Sequence, residues 1–309
     1  MAKTKLMLLT IAVSLLAAAP APAAYDVRVG IGDQSPAMFD HPDFKRLRIK
    51  RVRYFIPWNA IRKPDEMQRA TDYVNAARRA RVSVFMHVSS DDLRRKKARL
   101  PSKRRYRRDV TRLVRHFRAL GVREWGSRNE ANHDSQATWR SPSRAAWEFK
   151  VVRRACKRCT VVGLDVLDQR GVDRYIARYF RALGSYRRYV RTVGIHNYSD
   201  VNRRRTTGTR TIIRAVRRHV PRAKFWLTET GGIVRLSSSW PYSQRRAASR
   251  LSYMFRVVRR YRHHISRLYV YNWTGAPRGA RFDAGLVNPD GSRRPGYRVV
   301  ARNIRRYKR

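Results

Sequence analysis

Two glutamates stand where the sequence could do acid–base and nucleophilic chemistry. Glu130 lies in Arg128-Asn129-Glu130-Ala131-Asn132-His133, directly after Val122–Gly126, a compact apolar and aromatic run entered from Gly121. Glu229 lies in Lys224-Phe225-Trp226-Leu227-Thr228-Glu229-Thr230, followed by Gly231 and Gly232. A pair of carboxyl groups at the ends of two strand-like runs is what retaining glycoside hydrolysis requires: one protonates the leaving oxygen and the other attacks the anomeric carbon. Taken singly, each glutamate also reads as an acidic residue opening the next helix, where the helix dipole favours negative charge. The choice between these readings rests on the elements that hold them.

Those elements alternate. Short apolar runs occur at Val27–Gly32, Arg51–Pro57, Val82–Val88, Val122–Asn129, Thr160–Val166, Val193–Tyr198, Lys224–Thr230 and Arg267–Trp273, and helical spacing follows each one. Strands alternating with amphipathic segments indicate parallel βα units. Tyr106, Val110, Leu113, Val114, Phe117 and Leu120 share one helical face, and Ala247, Leu251, Met254, Phe255 and Val258 share another, with arginines opposite. Eight units predict an α/β fold, a closed (β/α)8 TIM barrel forming a single domain over residues 24–309. A solenoid of eight repeats lacks the self-similarity that would support it.

The first 23 residues read as a signal peptide: Lys3 and Lys5, an apolar run from Leu6 to Ala19, then Ala21-Pro22-Ala23 as a cleavage signal. The run is shorter than the roughly 20 residues that span a bilayer. The expectation is a secreted protein with no integral membrane span after processing. In an extracellular setting, Cys156 and Cys159 read as a local disulfide, since zinc would need two further ligands. The formal net charge of +51, carried mostly by arginine, is spread over every helical segment. It implies either salt-sensitive attraction to an anionic cell-wall polymer or other polyanion, or simply an arginine-rich solvated surface.

With Asn129-Glu130 closing the fourth run and Glu229 closing the seventh, the chain resembles the clan of retaining (β/α)8 glycoside hydrolases that includes cellulase-like, mannanase-like and β-xylosidase-like families. The resemblance implies Glu130 as acid/base, Glu229 as nucleophile, a carbohydrate substrate and no metal or organic cofactor. It further implies a substrate-binding set. Arg53 would hold the nucleophile as an oriented carboxylate, and Asn129 would reach the sugar 2-hydroxyl. His196 and Tyr198, in a His-x-Tyr pattern, would approach the nucleophile, Trp273 would stack on a sugar ring, and His87 would line the end of the third strand. The segment from Phe282 to Tyr297 looks like the closing loop before a final helix.

Glu130 is expected to be protonated near neutral pH by apolar surroundings. Ser127-Arg128 departs from the clan, which often has an apolar or aromatic residue before the Asn-Glu pair. Arg128 would pair with Glu124, reach an anionic sugar, or mark a site drifting from catalysis. The competing reading is a non-catalytic barrel that binds a glycan or polyanion, separable by whether Glu229→Gln removes turnover and leaves binding.

Overall fold

The computed structural model describes residues 25–308; the expected signal peptide lies outside the described residues. Eight parallel strands follow in order: β1 (Tyr25–Gly32), β2 (Arg51–Pro57), β3 (Ser83–Ser89), β4 (Glu124–Gly126), β5 (Thr160–Leu167), β6 (Thr192–His196), β7 (Lys224–Thr230) and β8 (Ile265–Tyr271). Each pairs with its sequence neighbour, and β8 pairs with β1 over Arg28–Gly32 and Arg267–Tyr271, which closes the barrel. A two-residue extension, Tyr307–Lys308, adds to β1 from outside the ring. The expected (β/α)8 barrel is therefore the fold.

Strand parity explains the two layers of core. In β2, Val52, Tyr54 and Ile56 are buried in the main apolar cluster, and Tyr54 packs on Tyr73 of α2 (Pro64–Arg79). Arg53 alternates with them and so turns into the barrel. Inside, Phe85, Val162, Trp226 and Tyr269 form a separate buried cluster. Arg267 caps it, stacked 3.8 Å from the centroid of a Trp226 ring and ion-paired with Glu124.

The outer helices behave as their patterns require. In α3 (Lys103–Ala119), Tyr106, Val110, Leu113, Val114 and Phe117 are fully buried, each of the aliphatic and phenyl side chains worth roughly 1.5–3 kcal/mol. Ser102 caps this helix by accepting from the Arg105 N–H at 3.2 Å. Gly121, at φ +95°, provides the left-handed residue that turns the chain into β4. In α8 (Gln244–Arg260) the expected stripe of Ala247, Leu251, Met254, Phe255 and Val258 is buried likewise.

β4 is shorter than the run suggested by sequence. It ends at Gly126, where a Cβ would overlap the His87 ring, and beyond it Ser127 and Asn129 bond to carbonyls of the two flanking strands. This departure leads the chain into Glu130.

The closing segment packs as a polar clasp. Arg294, which precedes α9 (Pro295–Asn303), donates from Nη1 to both Asp283 oxygens at 2.8 Å and from Nε to Asn288 Oδ1 at 2.8 Å, and both ends of the Arg294–Asp283 ion pair are buried. Removing one partner of a buried pair leaves an uncompensated charge. Asp283→Ala is therefore expected to cost about 3–5 kcal/mol in urea unfolding. A loss below about 1 kcal/mol would show the clasp to be incidental.

Candidate active site

At the carboxyl ends of the strands, Glu130 takes φ +40°, a backbone conformation that a non-glycine residue rarely adopts. Neighbouring bonds hold it there: Asn129 N–H to Val88 O, Ala131 N–H to Asp165 O and His133 N–H to Glu130 O, each 2.8 Å. Backbone strain enforced by its surroundings is characteristic of functional positions.

Glu229, near the end of β7, has both oxygens engaged. Arg53 Nη1 donates to Oε2 at 2.7 Å and Tyr198 Oη donates to Oε1 at 3.0 Å. The Arg53 guanidinium also donates from Nη2 to Asn129 Oδ1 at 2.5 Å and from Nε to His87 Nδ1 at 3.3 Å. One arginine thus ties β2, β3, β7 and the Asn-Glu turn together.

His196, the last residue of β6, lies between carboxylates. Its Nδ1 is 3.0 Å from Glu130 Oε1 and 3.7 Å from Glu229 Oε2, and its Nε2 is 2.9 Å from Asp165 Oδ1. Carboxylate oxygens this close to both ring nitrogens favour the imidazolium, which carries an N–H on each. Burial opposes that charge, but the carboxylates of Asp165 and Glu229, with the hydrogen bond to Glu130, outweigh it and push His196 up to about 10. Asp165 also accepts from Thr228 Oγ1 at 2.5 Å, and its carboxyl is held well below the usual range: burial raises it, while His196, His87 and Arg53 lower it more. His87 is pressed down to about 3 by burial, so it stays neutral and accepts from Arg53.

The protonation expected of Glu130 is corrected by this arrangement. Burial raises its pKa, but the hydrogen bond from His196 and the charges of His196 and His133 bring it below the ordinary value. At rest the proton sits on His196, one hydrogen bond away from Glu130.

Exposure separates the residues that can touch a ligand from those behind them. The Glu130 and Glu229 side chains keep 17% and 12% of their surface, whereas Arg53, His87, Asp165 and His196 are at or below 1%. Arg53 holds Glu229 as expected, and it sits behind the glutamates with His87 and His196, which the resemblance groups with it in the substrate-binding set. Asn129 and Tyr198, at 8% and 9%, border the opening.

Trp273 is a further correction. It is 1% exposed and packs edge-on against Phe44 and Tyr297 in the core between barrel and helices, so it offers no face to a sugar. The aromatic at the mouth of β8 is Tyr271, whose hydroxyl is pushed up by burial and by the charge of Glu229. Alternation from Arg267 through Tyr269, both inside the barrel, points to Tyr271 from sequence.

Arg128 neither pairs with Glu124 nor faces the opening. Its Nε and Nη2 lie 2.7 Å from Glu148 Oε2, Nη1 donates to Ser90 Oγ at 3.2 Å, and the guanidinium lies over Tyr106. Its place beside the Asn-Glu pair serves packing against α4 (Pro142–Ala155), which carries Glu148. Cys156 and Cys159, just beyond α4, form the expected disulfide.

Glu130, His196 and Glu229 offer atoms within 4.8 Å of one another, which also invites a divalent cation. Arg53 and Tyr198 already occupy both Glu229 oxygens and His196 Nδ1 is engaged with Glu130, so the donor atoms are spent within the protein.

The fold is one found among glycoside hydrolases. A family 39 glycoside hydrolase from Bacteroides cellulosilyticus WH2 matches with TM-score 0.62 and 13% identity over 90% of this chain and 64% of that one. A xylanase from Paenibacillus barcinonensis matches with TM-score 0.62 and 13% identity over 92% and 99% of the respective chains. A glucosidase from Croceicoccus marinus matches with TM-score 0.67 and 13% identity over 92% of this chain and 66% of that one. No protein-family description and no curated protein matches the sequence.

Proposed function

We propose that the protein is a retaining glycoside hydrolase acting on an oligo- or polysaccharide, with Glu229 as nucleophile and Glu130 as acid/base. The observation that carries this reading is the approach of the two carboxyl groups, one oxygen of each lying within 4.8 Å of the other. Retaining enzymes hold their pair about 5–5.5 Å apart, inverting enzymes about 6.5–9.5 Å to admit water. The environments differ as the two roles demand. Glu229 is fixed by Arg53 and Tyr198, whereas Glu130 contacts the proton-bearing His196.

In the first step Glu229 attacks the anomeric carbon, the glycosidic bond breaks, and the proton held between His196 and Glu130 passes through Glu130 to the departing oxygen. In the second, Glu130 takes a proton from water as that water displaces Glu229 from the sugar. Asn129 would bond the sugar hydroxyl next to the reacting carbon. The structural neighbours described as a xylanase and a glucosidase make xylans and glucosides the first substrates to try.

The signal-like amino terminus supports export, and the dispersed charge supports loose adhesion to anionic polymer around the cell. Among the described residues no helix is long and apolar enough to cross a membrane. The test is proton NMR of the first product released from aryl glycosides and polysaccharides. Retention of anomeric configuration is expected; inversion would reject the double displacement, and absence of turnover on every glycan would reject the hydrolase.

A further inference from the structure

Two cavities, neither lined by Glu130 or Glu229 themselves, reach residues next to them and share Gln169 and Arg170, which follow β5. One, about 480 Å³, is lined by Tyr198, the donor to Glu229, and by Arg203 and Trp240. The other, about 410 Å³, is lined by Asn132, two residues from Glu130, and by Trp139 and Arg140. In each an arginine lies over an indole: Arg203 is 5.8 Å from the Trp240 ring and Arg140 is 4.2 Å from the Trp139 ring.

Arginine is abundant everywhere on this chain, so its presence alone decides nothing. The arrangement does. Both tryptophans are partly exposed beside exposed guanidinium groups, and among the described residues Arg140, Arg170 and Arg203 make no ion pair, whereas the arginines buried around the catalytic pair do. Asp168, the acidic residue lining the larger cavity, spends its oxygens on the Ser199 and Asp200 N–H groups at 3.0 and 2.6 Å. Sugar faces stack on indole, and a guanidinium fork matches a carboxylate.

We infer that this pair of cavities is a subsite groove for a polymer of acidic sugars, Arg170 at its centre and Trp139 and Trp240 as stacking platforms, and that the hydrolase reads uronic-acid residues flanking the scissile bond. The inference rests on the glycosidase reading for what happens to the bound chain, while binding itself can be measured separately.

The experiment titrates the Glu229→Gln protein by calorimetry at 0.15 M salt with uronic-acid tetrasaccharides, their carboxyl-reduced counterparts and sulfated tetrasaccharides. The uronates are expected to bind at least about tenfold more tightly than the reduced sugars, as one charge-assisted contact warrants. Adding Arg170→Gln and Arg203→Gln should remove that advantage and leave the reduced sugars unchanged. Arg112→Gln with Arg115→Gln, exposed on α3, should leave it intact. Equal losses in both arginine pairs would assign the effect to the diffuse field and overturn the groove. So would equal binding of acidic and reduced sugars, and tighter binding of the sulfated chains would overturn the carboxylate assignment. Uronate binding that depends on Arg170 and Arg203 without turnover by the unsubstituted enzyme would keep the groove and reject the hydrolase.

Discussion

Glu229→Gln is expected to lower turnover by roughly 10⁴-fold or more while substrate affinity stays within a few-fold, since loss of a group that acts only in the chemical step falls on kcat. The amide keeps the size of the carboxylate but cannot attack carbon. Glycine variants at the two positions then assign the roles. In Glu229→Gly the freed space admits azide to the face the nucleophile used, and the glycosyl azide should form with inverted configuration. In Glu130→Gly the nucleophile survives, an aryl glycoside with a good leaving group still loads Glu229, and azide should release the sugar with retained configuration and faster than water does. In Glu130→Gly, Arg53 and Tyr198 still hold Glu229 in its pose. Retained product from Glu229→Gly, or no rescue of either variant by azide, would reverse or remove the assignment.

The sequence carried the barrel because its periodicities are physical requirements: each strand run had to bury a face, and each helix had to cover it with a stripe such as Val110, Leu113, Val114 and Phe117. It also carried the two glutamates, since strand ends are where a barrel must expose its chemistry. What it hid was pairing. With 72 basic and 21 acidic side chains, no rule of spacing tells Arg128 to choose Glu148 over Glu124.

The inner polar layer was hidden for another reason. His87 and Asp165 fit inside the barrel only because Gly126 and Gly194 lack side chains, for a Cβ at either would collide with them. Glycine in the middle of a strand is a sign of close approach, and both signs were legible. Trp273 was misplaced because strand alternation stops at Tyr271, where β8 ends and the chain turns toward Phe44 and Tyr297.

His196→Gln is expected to move the basic limb of kcat/KM to distinctly lower pH. In the parent protein the proton that Glu130 would deliver as the proposed acid is stored on an imidazolium pushed up to about 10, so activity should persist until the pair deprotonates near that pH. Glutamine keeps a hydrogen bond but carries no proton to give. Glu130 must then bind its own, in a buried site beside Asp165 where burial and the neighbouring charge raise its carboxyl once the imidazolium is gone. At pH 5.5 the variant should retain most of its activity, and at pH 9 it should lose far more than the parent does.

The same group leaves a mark on stability that catalysis does not touch. A folded-state pKa raised above the ordinary histidine value stabilises fully below about pH 6.5, and the contribution is lost as pH rises through about 10. Thermal melts of the parent should therefore fall between pH 7 and 10 more steeply than those of His196→Gln. A variant with an unshifted rate profile and an unshifted melting profile would place the stored proton on Glu130 itself, and His196 would be reduced to a neutral hydrogen-bonding partner of the acid.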